Sequence, residues 1–220
     1  MKSCILLGSG TSVKEGIESG LWEKIKNENV WSLNWAYKTI PFLPKAELWI
    51  DIGFFTKTMT ELNNLWKKGV PCYTKEHPKY KNIPEIHSFT TTRLKEQYNE
   101  KIYIGSNGLT GFFALSLACK EKYDKIYLLG YDFGVVNQYN KDGTKNKFTH
   151  YYQNKINVPS GGIGHPELYT TKDAKITDFE IYLKEPCKIY NVSPQSHITC
   201  FDRIDYITFY KLLKENNVST

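Results

Sequence analysis

Two runs of small residues stand where chemistry is easiest to build. Gly8-Ser9-Gly10-Thr11-Ser12 follows the apolar run Ser3–Leu7, and Gly105-Ser106-Asn107-Gly108 leads into a helical stretch that starts at Leu109. Glycine lets a backbone approach a ligand closely, and free amides at the start of a helix favour an anion. The hydroxyls of Ser9 and Ser106 and the amide of Asn107 add donors for a base, a ribose or a phosphate. Each run is equally a tight turn, with Ser106 or Asn107 as a helix N-cap. A third cluster, Gly130-Tyr131-Asp132-Phe133, closes another apolar run. Asp132 there can bind ribose hydroxyls, ligate a metal or cap the next turn. His150 and His165 fall in or beside a long polar stretch, the second within Gly161-Gly162-Ile163-Gly164-His165-Pro166. An ordinary histidine titrates near pH 6.5 and suits a general base, although a solvated loop histidine looks the same in sequence.

Several chemistries are disfavoured. The glycine turn at residues 8–12 has Val13 where a dinucleotide fingerprint needs its third glycine, and the second strand ends in Asn34 rather than an acidic ribose reader, which argues against NAD. No G-K-[ST] is present, so there is no P-loop. No D-x-D occurs, and His77, His87 and His197 show no ligand spacing, so no metal cluster is read.

The elements that must position these residues alternate. Short apolar runs at Ser3–Leu7, Val30–Leu33, Glu47–Ile50, Val70–Tyr73, Lys125–Leu129 and Lys188–Asn191 read as strands. Helices are expected from the first glycine turn to about Lys26, and over Phe54–Lys68, Leu109–Lys122, Lys172–Leu183 and Asp202–Lys214. Residues 71–100, broken by Pro78 and Pro84, read mainly as loop. Residues 134–164 are polar, tyrosine-rich and punctuated by glycine, a pattern of lids and binding loops. This alternation predicts an α/β, Rossmann-like domain with a mostly parallel sheet flanked by helices. Ser9, Asn34, Asp51, Asp132 and Ser193 then fall just past strand carboxyl ends, the edge where open α/β sheets bind ligands.

Composition bounds the rest. A chain of 220 residues fits one domain with a modest insertion. Hydrophobic residues make up 40% and charged residues 24%, as in ordinary soluble proteins, and no apolar run is long enough for a membrane span or a signal peptide. Five cysteines, odd in number and without a C-x-x-C pair, read as reduced thiols of a cytoplasmic protein. The net charge of +6 rests on lysine, since Arg93 and Arg203 are the only arginines. That balance favours anionic ligands in general and carries no sign of base-specific DNA readout. The lysine- and asparagine-rich composition fits an AT-rich genome, such as that of a low-GC bacterium or a phage.

Taken together, the turns resemble those of bacterial sialyltransferases of glycosyltransferase family 42, and of the related hydroxymethylpterin-diphosphokinase-like domain. Gly8-Ser9-Gly10-Thr11-Ser12-Val13-Lys14-Glu15 resembles the family's opening G-N-G-P-S-L-K-E. Asn34 matches the asparagine after its second strand, and Asp51 replaces the one after its third. Ser106-Asn107-Gly108 resembles its T-S-G turn, Ile126 to Phe133 its I-Y-L-S-G-I-D-F, Ile163-Gly164-His165 its catalytic I-G-H, and Ser193-Pro194-Gln195-Ser196 its late C-P-N-S turn. Gly134 stands where the family has a tyrosine, leaving Tyr139, Tyr151 or Tyr152 as substitutes. The family arginine before the T-S-G turn is absent around Ile104.

The resemblance implies a single GT-A-like domain over residues 1–220 with a lid-like loop at 134–164. It implies an inverting glycosyltransferase that uses a nucleotide-activated donor, CMP-sialic-acid-like, and requires no metal cofactor. His165 is the expected base. Gly8, Ser9, Gly10, Asn34, Asp51, Ser106, Asn107, Gly108, Gly130, Asp132, Ser193 and Ser196 are the expected donor-binding residues, with Tyr139, His150 and Tyr151 as phosphate or acceptor contacts. The acceptor hydroxyl belongs to a glycan, a lipid-linked saccharide or a modified nucleobase, and a homo-oligomer stays open. Two alternatives stand beside this one. The first is a Mg²⁺-dependent, diphosphokinase-like phosphoryl transferase with Asp51 and Asp132 as ligands, and the second is a catalytically inactive nucleotide-binding module.

Overall fold

A computed structural model of the chain describes residues 2–133, 136–139, 145–148 and 176–218. Eight strands form one sheet in which all seven neighbouring pairs are parallel. From β1 (Ser3–Leu7) the chain steps outward through β2 (Val30–Leu33), β3 (Ala46–Leu48), β4 (Cys72–Lys75) and β5 (Ile86–Phe89). A short parallel pair, β6 (Thr91–Thr92) with β7 (Ile102–Tyr103), follows outside the sheet. The chain then returns to the other side of β1 with β8 (Lys125–Leu129). The strand order therefore reverses between β1 and β8, and the carboxyl ends of all eight strands share one edge. A hairpin of β9 (Val136–Tyr139) and β10 (Lys145–Phe148) follows, and β11 (Lys188–Asn191) and β12 (Asp202–Arg203) complete the sheet beyond β8.

Burial on both faces explains why these strands read as nearly continuous apolar runs. Alternate residues point to opposite faces. Cys4, Leu6, Trp31, Leu33, Leu48, Ile126 and Leu128 belong to one core with Phe112, Phe113 and Leu117 of α4 (Thr110–Lys120) and with Phe179 and Tyr182 of a 3-10 helix at Ile176–Lys184. Ile5, Leu7, Val30, Cys72, Tyr127 and Leu129 belong to a second core. It includes Val13 of α1 (Val13–Glu18), Leu21 and Ile25 of α2 (Leu21–Ile25), Leu62 and Leu65 of α3 (Ile52–Lys67), and Phe209 and Leu213 of α5 (Tyr206–Val218). Apolar residues surround nearly the whole of α4, the mark of a helix buried on all sides.

The α/β architecture agrees with the sequence reading, and several boundaries differ for physical reasons. The single helix expected up to Lys26 is two short ones, broken where Gly20 takes φ 81°. Asp51 accepts a hydrogen bond from the Gly53 N–H and so starts α3 two residues ahead of the expected Phe54. The strand expected at 70–73 begins at Cys72, past Pro71, and the expected loop at 71–100 contains β5, β6 and β7. β5 starts two residues after Pro84, whose ring cannot donate to a ladder. The segment expected to be α-helical up to Leu183 is the 3-10 helix where it is described. Asp202 and Arg203 pair with Tyr190 and Asn191 as β12, so the last helix starts at Tyr206. Of the expected lid at 134–164, the described part is the antiparallel pair β9–β10, with Tyr139 opposite Lys145. Among the described residues no helix is long and apolar enough to cross a membrane.

Candidate functional site at the sheet switch point

The turn after β1 is an extension of the sheet. The Gly8 N–H donates to the Leu129 carbonyl at 2.7 Å and the Gly10 N–H to the Gly130 carbonyl at 2.8 Å, so β1 and β8 stay paired past their strand ends. A Cβ on Gly10 would lie 2.6 Å from both the Gly130 oxygen and the Asp132 carboxyl carbon. The close approach that the sequence reading offered to a ligand is therefore occupied by Asp132 of this chain. The carboxylate of Asp132 accepts the Ser12 N–H at 2.7 Å, the Ser12 hydroxyl and the Thr11 hydroxyl at 3.3 Å. α1 is six residues long, the N–H of its N-cap Ser12 points at a carboxylate, and the N–H groups of Val13, Lys14 and Glu15 donate to the carbonyls of Gly10, Thr11 and Ser12. The turn is thus a poor cradle for a phosphate, and the acidic group beside it suits hydroxyls.

Ser193 and Ser196 sit in the turn after β11, both buried. The Ser196 hydroxyl donates to the Tyr131 carbonyl at 2.7 Å and accepts from Asn191 Nδ2 at 2.8 Å and the Ile198 N–H at 3.1 Å. Ser196, one of the expected donor-binding residues, thus latches the backbone of Tyr131 and Asp132 in place. The next residue, His197, is exposed and its N–H donates to the Asp132 carbonyl at 2.9 Å. Sequence spacing gave His197 no role, and the only signal was its place one residue after the Ser193–Ser196 turn. Asn191, fully buried at the end of β11, also escaped the sequence reading.

A second group surrounds the Gly105–Gly108 turn. Asp178, from the 3-10 helix, accepts the Ser106 N–H at 2.9 Å and the Ser106 hydroxyl at 2.6 Å, and pairs with Lys95 at 3.1 Å. Burial opposes ionisation of Asp178, but these bonds from Ser106 and Lys95 outweigh it and hold the carboxyl below its ordinary range. Ser106 is not a helix cap, since α4 starts at Thr110 with Leu109 before it. A side chain on Gly108 would meet the guanidinium of Arg93 at 3.0 Å, so one of the two arginines lies against this turn. The other, Arg203, donates to the Ser196 carbonyl at 3.1 Å. The Thr110 hydroxyl donates to Asn34 Oδ1 at 3.3 Å, which brings the end of β2 to the head of α4.

Tyr131 joins the two groups, its hydroxyl donating to the Gly111 carbonyl at 3.2 Å. Strain concentrates at the same edge. Among the described residues Asn34, Lys122 and Phe133 are the non-glycine residues with positive φ, and Asn34 (53°) and Phe133 (50°) fall at or just past the ends of β2 and β8. Such conformations cost of order 1–3 kcal/mol and cluster at functional sites. Asp51 is exposed and engaged in capping α3. Tyr139 lies on β9, whereas His150, Tyr151 and His165 lie outside the described residues. Among the described residues no group of three or more His, Cys, Asp or Glu side chains has the spacing of a metal site.

The comparisons with known proteins fit this geometry at the level of fold. No protein-family model matches the chain, and no curated protein matches it. A solved structure, that of the MAf glycosyltransferase from Magnetospirillum magneticum AMB-1, is similar to it with a TM-score of 0.55 at 11% identity, over 99% of this chain. The chain covers 36% of the length of that protein. At this identity the likeness concerns the fold, a Rossmann-like arrangement that a glycosyltransferase also uses.

Proposed function

We propose that this chain is a glycosyltransferase that moves a sugar from a nucleotide-activated donor to an acceptor hydroxyl, with the donor at the switch point between β1 and β8. The observation that carries the proposal is the convergence of Asn34, Asp132 and the Ser106–Gly108 turn on that carboxyl edge, each tethered by its own chain. The fold likeness to a glycosyltransferase adds support. In this reading Asp132 and Asn34 take donor hydroxyls and base edges, while Arg93 and Arg203 supply positive charge at the rim. Ser196 and Asp178 position the turns. A histidine, His165 in the family resemblance, takes the acceptor proton. The acceptor oxygen then attacks the anomeric carbon, the bond from that carbon to the phosphate oxygen breaks, and the nucleotide leaves with the electron pair. Inversion follows from one such displacement. The donor we favour is CMP-sialic-acid-like, and residues 1–220 act as one domain.

A panel of nucleotides tested by thermal shift checks this reading. A nucleotide present at 100 times its Kd stabilises the fold by about 2.7 kcal/mol. That is a rise in Tm of roughly 5–10 °C for a chain of this size. Stabilisation that survives EDTA, and is strongest with a cytidine nucleotide, supports the proposal. Stabilisation lost in EDTA returns the phosphoryl-transfer alternative with Asp51 and Asp132. No shift with any nucleotide removes the donor site.

A further inference from the structure

The five cysteines read from sequence as separate reduced thiols, yet two of them meet. Cys119 lies in the last turn of α4 and Cys187 in the bend between the 3-10 helix and β11, and their sulfurs are 3.7 Å apart. Cys119 is buried and Cys187 is partly exposed. The pair lies toward the amino ends of β8 and β11, away from the edge that carries Asp132. We propose that Cys119 and Cys187 form a covalent modification site, a dithiol that closes to a disulfide by exchange with a low-molecular-weight disulfide, Cys187 reacting first.

The geometry requires little movement. A disulfide bond is about 2.05 Å long, so closure needs roughly 1.7 Å of approach. Cys187 lies outside the regular elements, directly ahead of β11, and can supply that approach without breaking a ladder bond. Access decides the order, because an external reagent reaches the partly exposed sulfur first. Electrostatics agrees. The hydrogen bond between the two sulfurs outweighs burial at Cys187 and lowers its pKa, while that bond and burial push Cys119 up. The other thiols lack this combination. Cys4 is fully buried, Cys72 is buried and takes the Trp66 indole N–H at 2.8 Å, and burial pushes Cys200 up to about 11.

The exchange balances. The Cys187 thiolate attacks one sulfur of the reagent, the reagent's S–S bond breaks, and one thiolate leaves. Cys119 then loses its proton and attacks the Cys187 sulfur, and the second reagent thiolate leaves. Two protein thiols are oxidised while one disulfide is reduced to two thiols. The closed loop would tie α4, which bears Thr110 and hence Asn34 at its other end, to the segment that contains Asp132 and Asp178.

The experiment treats the native protein with excess oxidised glutathione, quenches by alkylation and maps tryptic peptides without reductant. We expect residues 102–120 and 185–188 to appear joined and two hydrogens lighter than their sum. Closing a loop of about 70 residues should also raise the Tm by on the order of 10 °C, reversed by dithiothreitol. Cys119→Ser should retain glutathione on Cys187, and Cys187→Ser should leave Cys119 free of it. A wild-type protein that keeps both thiols alkylatable overturns the proposal. So does a lasting glutathione adduct on Cys187 beside a free Cys119, or a cross-link that uses Cys200.

Discussion

Asp132 holds Ser12 twice, through the backbone N–H at 2.7 Å and through the hydroxyl. The two bonds cross the switch point and fix the end of β8 against the head of α1. Removing one hydroxyl bond with Ser12→Ala should cost about 1 kcal/mol, a fall in Tm of roughly 2–4 °C, with nucleotide affinity almost unchanged. Asp132→Asn keeps one oxygen for the Ser12 N–H, replaces the other with an NH2 that can no longer accept from the Ser12 hydroxyl, and removes the negative charge. It should lower the Tm further and weaken nucleotide binding about tenfold or more, if the carboxylate also takes donor hydroxyls. Calorimetric titration of both variants decides. Affinity that merely follows the loss of stability would make Asp132 a latch and nothing more.

Gly10 follows from the same contact. A methyl group there would press on the Gly130 oxygen and the Asp132 carboxyl carbon at 2.6 Å, and both belong to backbone or a tethered side chain. Gly10→Ala should therefore destabilise the protein by about 1–3 kcal/mol or more before any ligand is added. The sequence reading offered the space at this glycine to a ligand; the structure gives it to Asp132. A variant with the wild-type Tm would show that the turn opens freely, and would return the site to the ligand.

Two buried carboxylates should give the stability curve opposite slopes. Glu47 is wholly buried on β3, its Oε2 accepts the Ser32 hydroxyl and its Oε1 has no partner, and burial raises its pKa well above the usual carboxylate range. The native state thus holds a proton that the unfolded chain releases near pH 4.3, and stability falls as pH rises from there. Glu47→Gln keeps an acceptor for Ser32 and removes the titration, so its advantage over wild type should widen from pH 4.5 to pH 9. Asp178 has the reverse sign. Its lowered pKa stabilises the fold above about pH 3.9 and that contribution fades as pH falls through the folded value. Asp178→Asn should be the weaker protein at pH 7 and lose its deficit toward pH 2. Denaturant midpoints across pH test both, and a gap that stays constant with pH in either variant removes that residue from the account.

The fold was legible because parallel strands buried on both faces leave unbroken apolar runs: Ser3–Leu7, Val30–Leu33, Lys125–Leu129 and Lys188–Asn191 stand in the structure as read. β5 and β12 were not legible, since His87, Ser88, Asp202 and Arg203 are polar and their pairing comes from neighbours far along the chain. The site was legible as an edge and not as a set of contacts. Spacing could mark Ser12, Ser106 and Ser196 as small polar turn residues. It could not reveal that Asp132, Asp178 and the Tyr131 carbonyl, brought in by tertiary folding, would take their hydrogen bonds. The Cys119–Cys187 contact has the same cause, since its partners lie on separate elements 68 residues apart.

The identity of the base is the sharpest test of the proposed reaction. A histidine that removes the acceptor proton must be neutral to act, so turnover should rise through a pKa near 6–7 and level off above it. Substituting it should cut turnover by about 10²–10⁴-fold and leave donor affinity nearly intact, because it faces the acceptor. The Ile163-Gly164-His165 setting selects His165, and His150 shares its stretch of chain. His197 competes on position, since its N–H is bonded to the Asp132 carbonyl at the switch point. Three variants, His165→Ala, His150→Ala and His197→Ala, therefore need pH–rate profiles side by side. Loss of the acid limb in His165→Ala alone supports the assignment. The same loss in His197→Ala moves the base to the turn after β11, where Ser196 and Asp132 already fix the backbone. If all three keep full rates, none of these histidines is the base, and the displacement must draw its proton acceptor from another group such as Asp132 or from the substrate.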